Sequence, residues 1–119
     1  MSPNPKSRII AKRGKVFVPV QVKDIAICYS HNKISFVQLF GGTKFMVTNN
    51  LTELNGMLSP TEFFRTNRST IVNINAIKEY KCTATGRISV ELVPEKLRYS
   101  TVNVSQVSAR SFKHWIEGH

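Results

Sequence analysis

From Ser7 to Val47 the apolar residues come in short β-branched and aromatic runs separated by turn formers, the pattern of an antiparallel sheet. Ile9 and Ile10 lead into Ala11-Lys12-Arg13-Gly14, where glycine can take the positive φ of a hairpin turn. Lys15 to Val20 follows as a second strand, and Pro19, which has no amide proton to give a ladder, marks it as an edge or a strand end. Ile25 to Tyr29 reads as a third strand, Ser30-His31-Asn32-Lys33 as a polar turn, and Ile34 to Phe40 as a fourth strand. Gly41-Gly42 then turns the chain into Lys44-Phe45-Met46-Val47.

At residue 50 the period changes. Leu51, Leu54, Met57 and Leu58 form a helical stripe, Asn50 stands at the N-cap with Glu53 placed to close a capping box, and Pro60 ends the helix. Further on, Tyr80-Lys81-Cys82 and Ile88 to Leu92 read as strands joined near Gly86, and Leu97 to Val104 as another. Ser105 is expected to cap a C-terminal helix with Val107, Phe112, Trp115 and Ile116 on one face and Gly118 at its end. The pattern predicts a mainly β fold with one short internal helix and a short C-terminal helix. It occupies residues 8–117, behind a proline-containing linker or chain boundary over residues 1–7.

Composition narrows the reading. A chain of 119 residues suits one domain with one core. A 41% hydrophobic content without a long apolar run or a signal-peptide stretch predicts a soluble, cytoplasmic segment with no membrane contact. Cys28 and Cys82 lie in strand-like surroundings without metal-ligand spacing, so free thiols are expected rather than a disulfide, and neither metal nor cofactor is implied.

The net charge of +10 is the first functional signal, because a polyanion releases counterions on meeting such a surface. Lys6, Arg8, Lys12, Arg13, Lys15 and Lys23 precede the first acid, Asp24. That arm either tracks phosphates or is a solvated edge that discourages aggregation. Catalysis has no comparable support. No carboxylate pair has acid/base spacing, His31, His114 and His119 lie near no nucleophile motif, and Gly41-Gly42 is explained as a hairpin turn. The chain is read as a non-enzyme.

The segment Phe63 to Ile77 sets an aromatic pair before a polar, basic stretch and an apolar anchor, an order that buries both flanks and presents the middle. Arg65, Asn67, Arg68, Ser69 and Thr70 supply guanidinium, amide and hydroxyl groups that bind phosphate oxygens and base edges. A turn in which Asn67 and Ser69 bond their own backbone is the other reading of these residues. Phe64-Arg65-Thr66-Asn67-Arg68-Ser69-Thr70-Ile71-Val72-Asn73, followed by Ile77, resembles the signature of LytTR DNA-binding domains. The likeness extends to Asp24-Ile25 with Tyr29, to Leu51 and Leu54, and to Val104-Ser105, covering roughly residues 8 to 117.

This resemblance implies an elongated arrangement of small antiparallel sheets that binds double-stranded DNA through loops, as the output domain of a bacterial transcriptional (response) regulator. Three regions are implied to reach successive major grooves and the backbone between them: the turn around His31, Asn32, Lys33 and Ser35; Asn67, Arg68 and Ser69; and Gln106 with Arg110 and Lys113. Base-reading candidates are Arg68, Asn67, Gln106 and Lys33. Phosphate candidates are Asn32, Ser35, Arg65, Ser69, Ser105, Arg110 and Lys113. Gln106 stands where many relatives carry arginine and favours adenine over guanine; the first loop matches the family least. A second protomer on an adjacent site and an upstream receiver or sensor domain are the implied partners. Two rivals remain: a single-strand or RNA-binding module using Phe36, Phe40, Phe45, Phe63, Phe64, Phe112 and Trp115 as stacking platforms, and a protein-interaction domain with incidental charge. Most of these aromatics fall on apolar faces and are expected in the core.

Overall fold

In the computed structural model, which describes residues 5–118, the alternation of the first half becomes a single antiparallel sheet. Residues 1–4 of the expected linker and His119 lie outside the described residues. Of the remaining linker residues, Lys6 donates its amide to the carbonyl of Met57 at 2.9 Å. Strands β1 (Arg8–Arg13) and β2 (Val16–Gln21) form a hairpin, with Gly14 at φ 63° in its turn. Strands β3 (Ile25–His31), β4 (Ile34–Leu39) and β5 (Lys44–Val47) follow, and helix α1 (Leu51–Met57) leads into β6 (Phe63–Asn67) and β7 (Thr70–Asn73). The order across this seven-stranded sheet is β2-β1-β5-β4-β3-β7-β6, so Pro19 lies on an edge strand, as its missing donor requires. A second, three-stranded sheet is built from β8 (Ile77–Cys82), β9 (Ile88–Leu92) and β10 (Thr101–Val104), and helix α2 (Ala109–Ile116) closes the fold.

The period of two sorts the large sheet into two faces. One face turns Ile9, Ala11, Cys28, Val37, Phe45 and Ile71 toward Leu51 and Leu54 of α1. The other turns Ile27, Tyr29 and Val72 toward Val90, Leu92 and Val102 of the small sheet and Phe112 of α2. Strands β3 and β7 are therefore covered on both sides, which is why their sequences run apolar without alternation. The capping box of α1 is formed, with Asn50 Oδ1 accepting from the Glu53 amide at 2.8 Å and Glu53 Oε1 from the Asn50 amide at 2.9 Å. Trp115 packs at 5.2 Å from the Phe64 ring, pinning α2 onto β6. Cys28 is fully buried, which pushes its thiol up to about 12, while Cys82 is exposed; both are free, as expected.

Three expectations change. The strand expected over Leu97–Val104 begins only at Thr101, because buried Gln38 takes backbone groups of the preceding connection: its Oε1 accepts from the Arg98 amide at 2.7 Å and its Nε2 donates to the Lys96 carbonyl at 3.5 Å. Ser105 does not cap the terminal helix. A 3-10 turn, Gln106–Ser108, intervenes, and the Ser105 hydroxyl donates to Ser108 Oγ at 3.1 Å instead of accepting from a helix amide. Val107 rides on that turn at 93% exposure instead of lining the apolar face of α2, since the helix begins two residues later.

Candidate nucleic-acid interface

Strand β3, flanked by β4 and β7, brings two turns to one end of the large sheet. β3 pairs with β4 up to His31↔Ile34 and with β7 at Tyr29↔Thr70, so the Asn32-Lys33 turn and the Arg68-Ser69 turn stand side by side. The Ser30 amide donates to the Ser69 carbonyl at 3.0 Å and ties them together. The third region joins through the small sheet: the Ser105 amide donates to the Thr66 carbonyl at 2.9 Å, and Asn67 Nδ2 donates to the Asn103 carbonyl at 2.8 Å. Three segments distant in sequence thus meet at one surface.

In the first turn both central residues have positive φ, Asn32 at 52° and Lys33 at 66°. That is the conformation of a two-residue type I′ hairpin, which favours Asn-Gly. Asparagine meets the preference; lysine at the second position carries a left-handed backbone penalty of about 1 kcal/mol. The turn keeps an ammonium where its own stability asks for glycine, and such strain points to a functional demand. Ser35 does not belong to this surface. It is 6% exposed because it is paired with Ser30 and Val47 inside the sheet, which removes it from the phosphate candidates.

The second turn is held by side chains. Asn67 Oδ1 accepts the Ser69 amide at 2.8 Å, so with Nδ2 on Asn103 its amide is occupied at both atoms. This corrects its place among the base readers: Asn67 fixes the turn and docks it on β10. Arg65, half buried, donates from its two terminal nitrogens to Thr52 Oγ1 and to the Arg68 carbonyl, each at 2.9 Å. It braces the turn from behind. The Thr66 and Thr70 hydroxyls bond to each other within the hairpin. What remains presented is Arg68, exposed and with no side-chain partner among the described residues, beside the exposed Ser69 hydroxyl.

In the third region Gln106, Arg110 and Lys113 are exposed, and Ser105 is half buried with its hydroxyl on Ser108. Two neighbours escaped the sequence reading. Arg87, from the turn after Gly86, shares a shallow depression with Asn103 and Gln106. Val107 shares another with Arg65, Asn67, Arg68 and Ser105. The Ser105-x-x-Ser108 spacing that closes the 3-10 turn was the available signal for Val107; no sequence signal set Arg87 apart from the other arginines.

Among the described residues one ion pair occurs, Lys78 with Glu91 at 3.9 Å and largely solvated, so the positive field at the turns is not neutralised by local acids. Phe45, Phe63 and Phe112 are buried, and Phe36, Phe40, Phe64 and Trp115 pack against the core. No stacking platform is made of them. The described residues contain no helix long and apolar enough to cross a membrane and no cluster of ligands able to hold a metal.

The family model of the LytTr DNA-binding domain matches residues 15–117. Among solved structures, the LytTr DNA-binding domain of a protein described as a methyl-accepting/DNA response regulator from Bacillus cereus superposes with a TM-score of 0.77 at 24% identity, covering 96% of this chain and 99% of that one. No curated protein matches the chain.

Proposed function

The chain belongs to the LytTr DNA-binding domain family, and from that premise we propose that it binds duplex DNA sequence-specifically through three turns, as the output domain of a bacterial transcriptional regulator. The observation that carries this reading is the Arg68 turn. A guanidinium without a partner among the described residues is held out on a hairpin whose backbone is fixed by Asn67 and Arg65, so little conformational freedom is lost when it meets a guanine edge. Lys33, Asn32, Ser69, Arg110 and Lys113 supply phosphate contacts. Ser105 contributes through its position more than its hydroxyl, which is engaged with Ser108.

Gln106 is the second base reader, selecting adenine, with Arg87 beside it on the backbone. The domain acts in the cytoplasm and carries no catalytic activity of its own. A receiver or sensor domain joined to it supplies the signal, and a second protomer occupies a neighbouring half-site, because turns grip more weakly than an inserted helix. The test is selection of bound duplexes from a randomised pool at near-physiological salt. Enrichment of a short motif, repeated at about one helical turn of ~10 base pairs for paired protomers, is the expected result. Retention without enrichment would reduce the domain to a non-specific polyanion binder.

A further inference from the structure

The small sheet covers only part of the face it packs against. On the remainder, the pairing register sets Phe17, Lys12, Met46 and Phe36 in one row across β2, β1, β5 and β4, and the row continues to Tyr29 of β3. Paired residues of an antiparallel sheet project to the same side, so this row lies on the face that Tyr29 turns toward the small sheet. Ile10, two residues from Lys12 along β1, shares that side. Phe17 is 65% exposed, Ile10 52% and Met46 37%. Large apolar side chains left open together on one sheet face mark a surface that meets a partner.

Cations stand among these rings. Lys12 Nζ lies 5.5 Å from the Phe17 centroid, Lys44 Nζ 5.7 Å from Phe36 and Arg98 Cζ 5.1 Å from Tyr29. Strands β1, β2, β4 and β5 hold no acidic residue, and the connection that carries Arg98 adds Glu95 and Lys96, whose charges cancel. None of the three cations has a carboxylate at ion-pair distance among the described residues. A second copy of this face would set like charges against like. Pro19 takes a donor from the β2 edge, so an added strand fits poorly as well. The small sheet raises a step of about 10 Å beside the open face, the spacing of packed sheets, and Arg98, its amide held by Gln38 at 2.7 Å, stands at the foot of that step. A helix is about 10 Å across and fills such a corner; a flat bilayer does not enter it.

We propose that this open face docks an amphipathic, acidic helix of a partner protein, its apolar stripe on Phe17, Ile10 and Met46 and its carboxylates on Lys12, Lys44 and Arg98. The basic arm of the sequence thereby gains a partner other than phosphate, and the proposal does not depend on the DNA-binding reading.

Met46 supplies a methyl reporter on the open face. In the intact chain its methyl resonance is followed while a synthetic amphipathic helix of about five turns, with a leucine stripe flanked by glutamates, is added. The same peptide with lysines for glutamates, phosphatidylglycerol vesicles and a random duplex are the comparators. The glutamate peptide is expected to move the resonance saturably, and Phe17→Ser and Lys12→Glu each to weaken its binding about tenfold. A chain carrying both Lys12→Glu and Lys44→Glu is expected to prefer the lysine peptide, a reversal that lost folding does not produce. Absence of a saturable shift, equal binding of the two peptides by the parent, or indifference to Phe17→Ser overturns the proposal. Tighter binding of the vesicles at Met46 overturns it in favour of a membrane surface, and tighter binding of the duplex there overturns it in favour of a wider DNA footprint.

Discussion

The two turns at the end of β3 are built in opposite ways. The Asn32-Lys33 turn is short, set by backbone geometry alone, and strained at Lys33, whose side chain is tethered to nothing among the described residues. The Arg68-Ser69 turn is held by three side-chain bonds to backbone, from both atoms of the Asn67 amide and from Arg65. A flexible ammonium neutralises a phosphate wherever one comes within reach, whereas a guanidinium on a braced turn keeps the geometry that a bidentate pair with a base demands. On the proposed function, adjacent turns on one sheet divide the work: the braced one is to discriminate, and the strained one to add affinity.

Several substitutions break or sharpen this contrast. The largest effect is expected from Arg68→Ala, which costs about 1–3 kcal/mol on the preferred duplex and relaxes preference at one position, measured by fluorescence anisotropy on a panel of single-base variants. Equal losses on every member of the panel would remove Arg68 from the reading role. Next is Asn67→Ala. It unties the turn from β10 and lowers stability by about 1–2 kcal/mol in urea denaturation while eroding the same positional preference as Arg68→Ala, because Asn67 holds the turn that carries Arg68.

Lys33→Gly moves stability and binding in opposite directions. Relief of the left-handed backbone raises stability by about 1 kcal/mol, while loss of one phosphate contact lowers the magnitude of the log–log salt slope by about 0.9. A variant that is less stable would show that the type I′ strain is not there. Smallest is Ser35→Ala, expected to leave DNA affinity within about 0.5 kcal/mol of the parent because the hydroxyl is buried in the sheet.

The sequence carried the outline of the fold further than the outline of the site. Alternation and turn residues placed the hairpins, and Asn50 with Glu53 placed α1, because these signals are local. The start of β10 was not legible, since the connection that precedes it is held by Gln38, some 60 residues away in sequence. The same limit applied at the site. Arg68 stood out by type and by family resemblance, yet Asn67 looked like a reader until its two bonds were seen, one of them to a carbonyl on β10. Ser35 was read as surface because a one-residue change in strand phase decides which way a side chain faces. Val107 was assigned to the core because a 3-10 turn before a helix leaves no mark in apolar periodicity.

The most direct test compares specificity ratios. Affinities of the parent, Arg68→Ala and Lys33→Gly are measured on the selected duplex and on a random duplex of equal length at one salt concentration. Both variants bind the selected duplex more weakly than the parent; Arg68→Ala loses most of the ratio between the two duplexes, while Lys33→Gly keeps it. If the two variants reduce the ratio equally, or if Lys33→Gly alone abolishes it, the division of labour between the turns is contradicted.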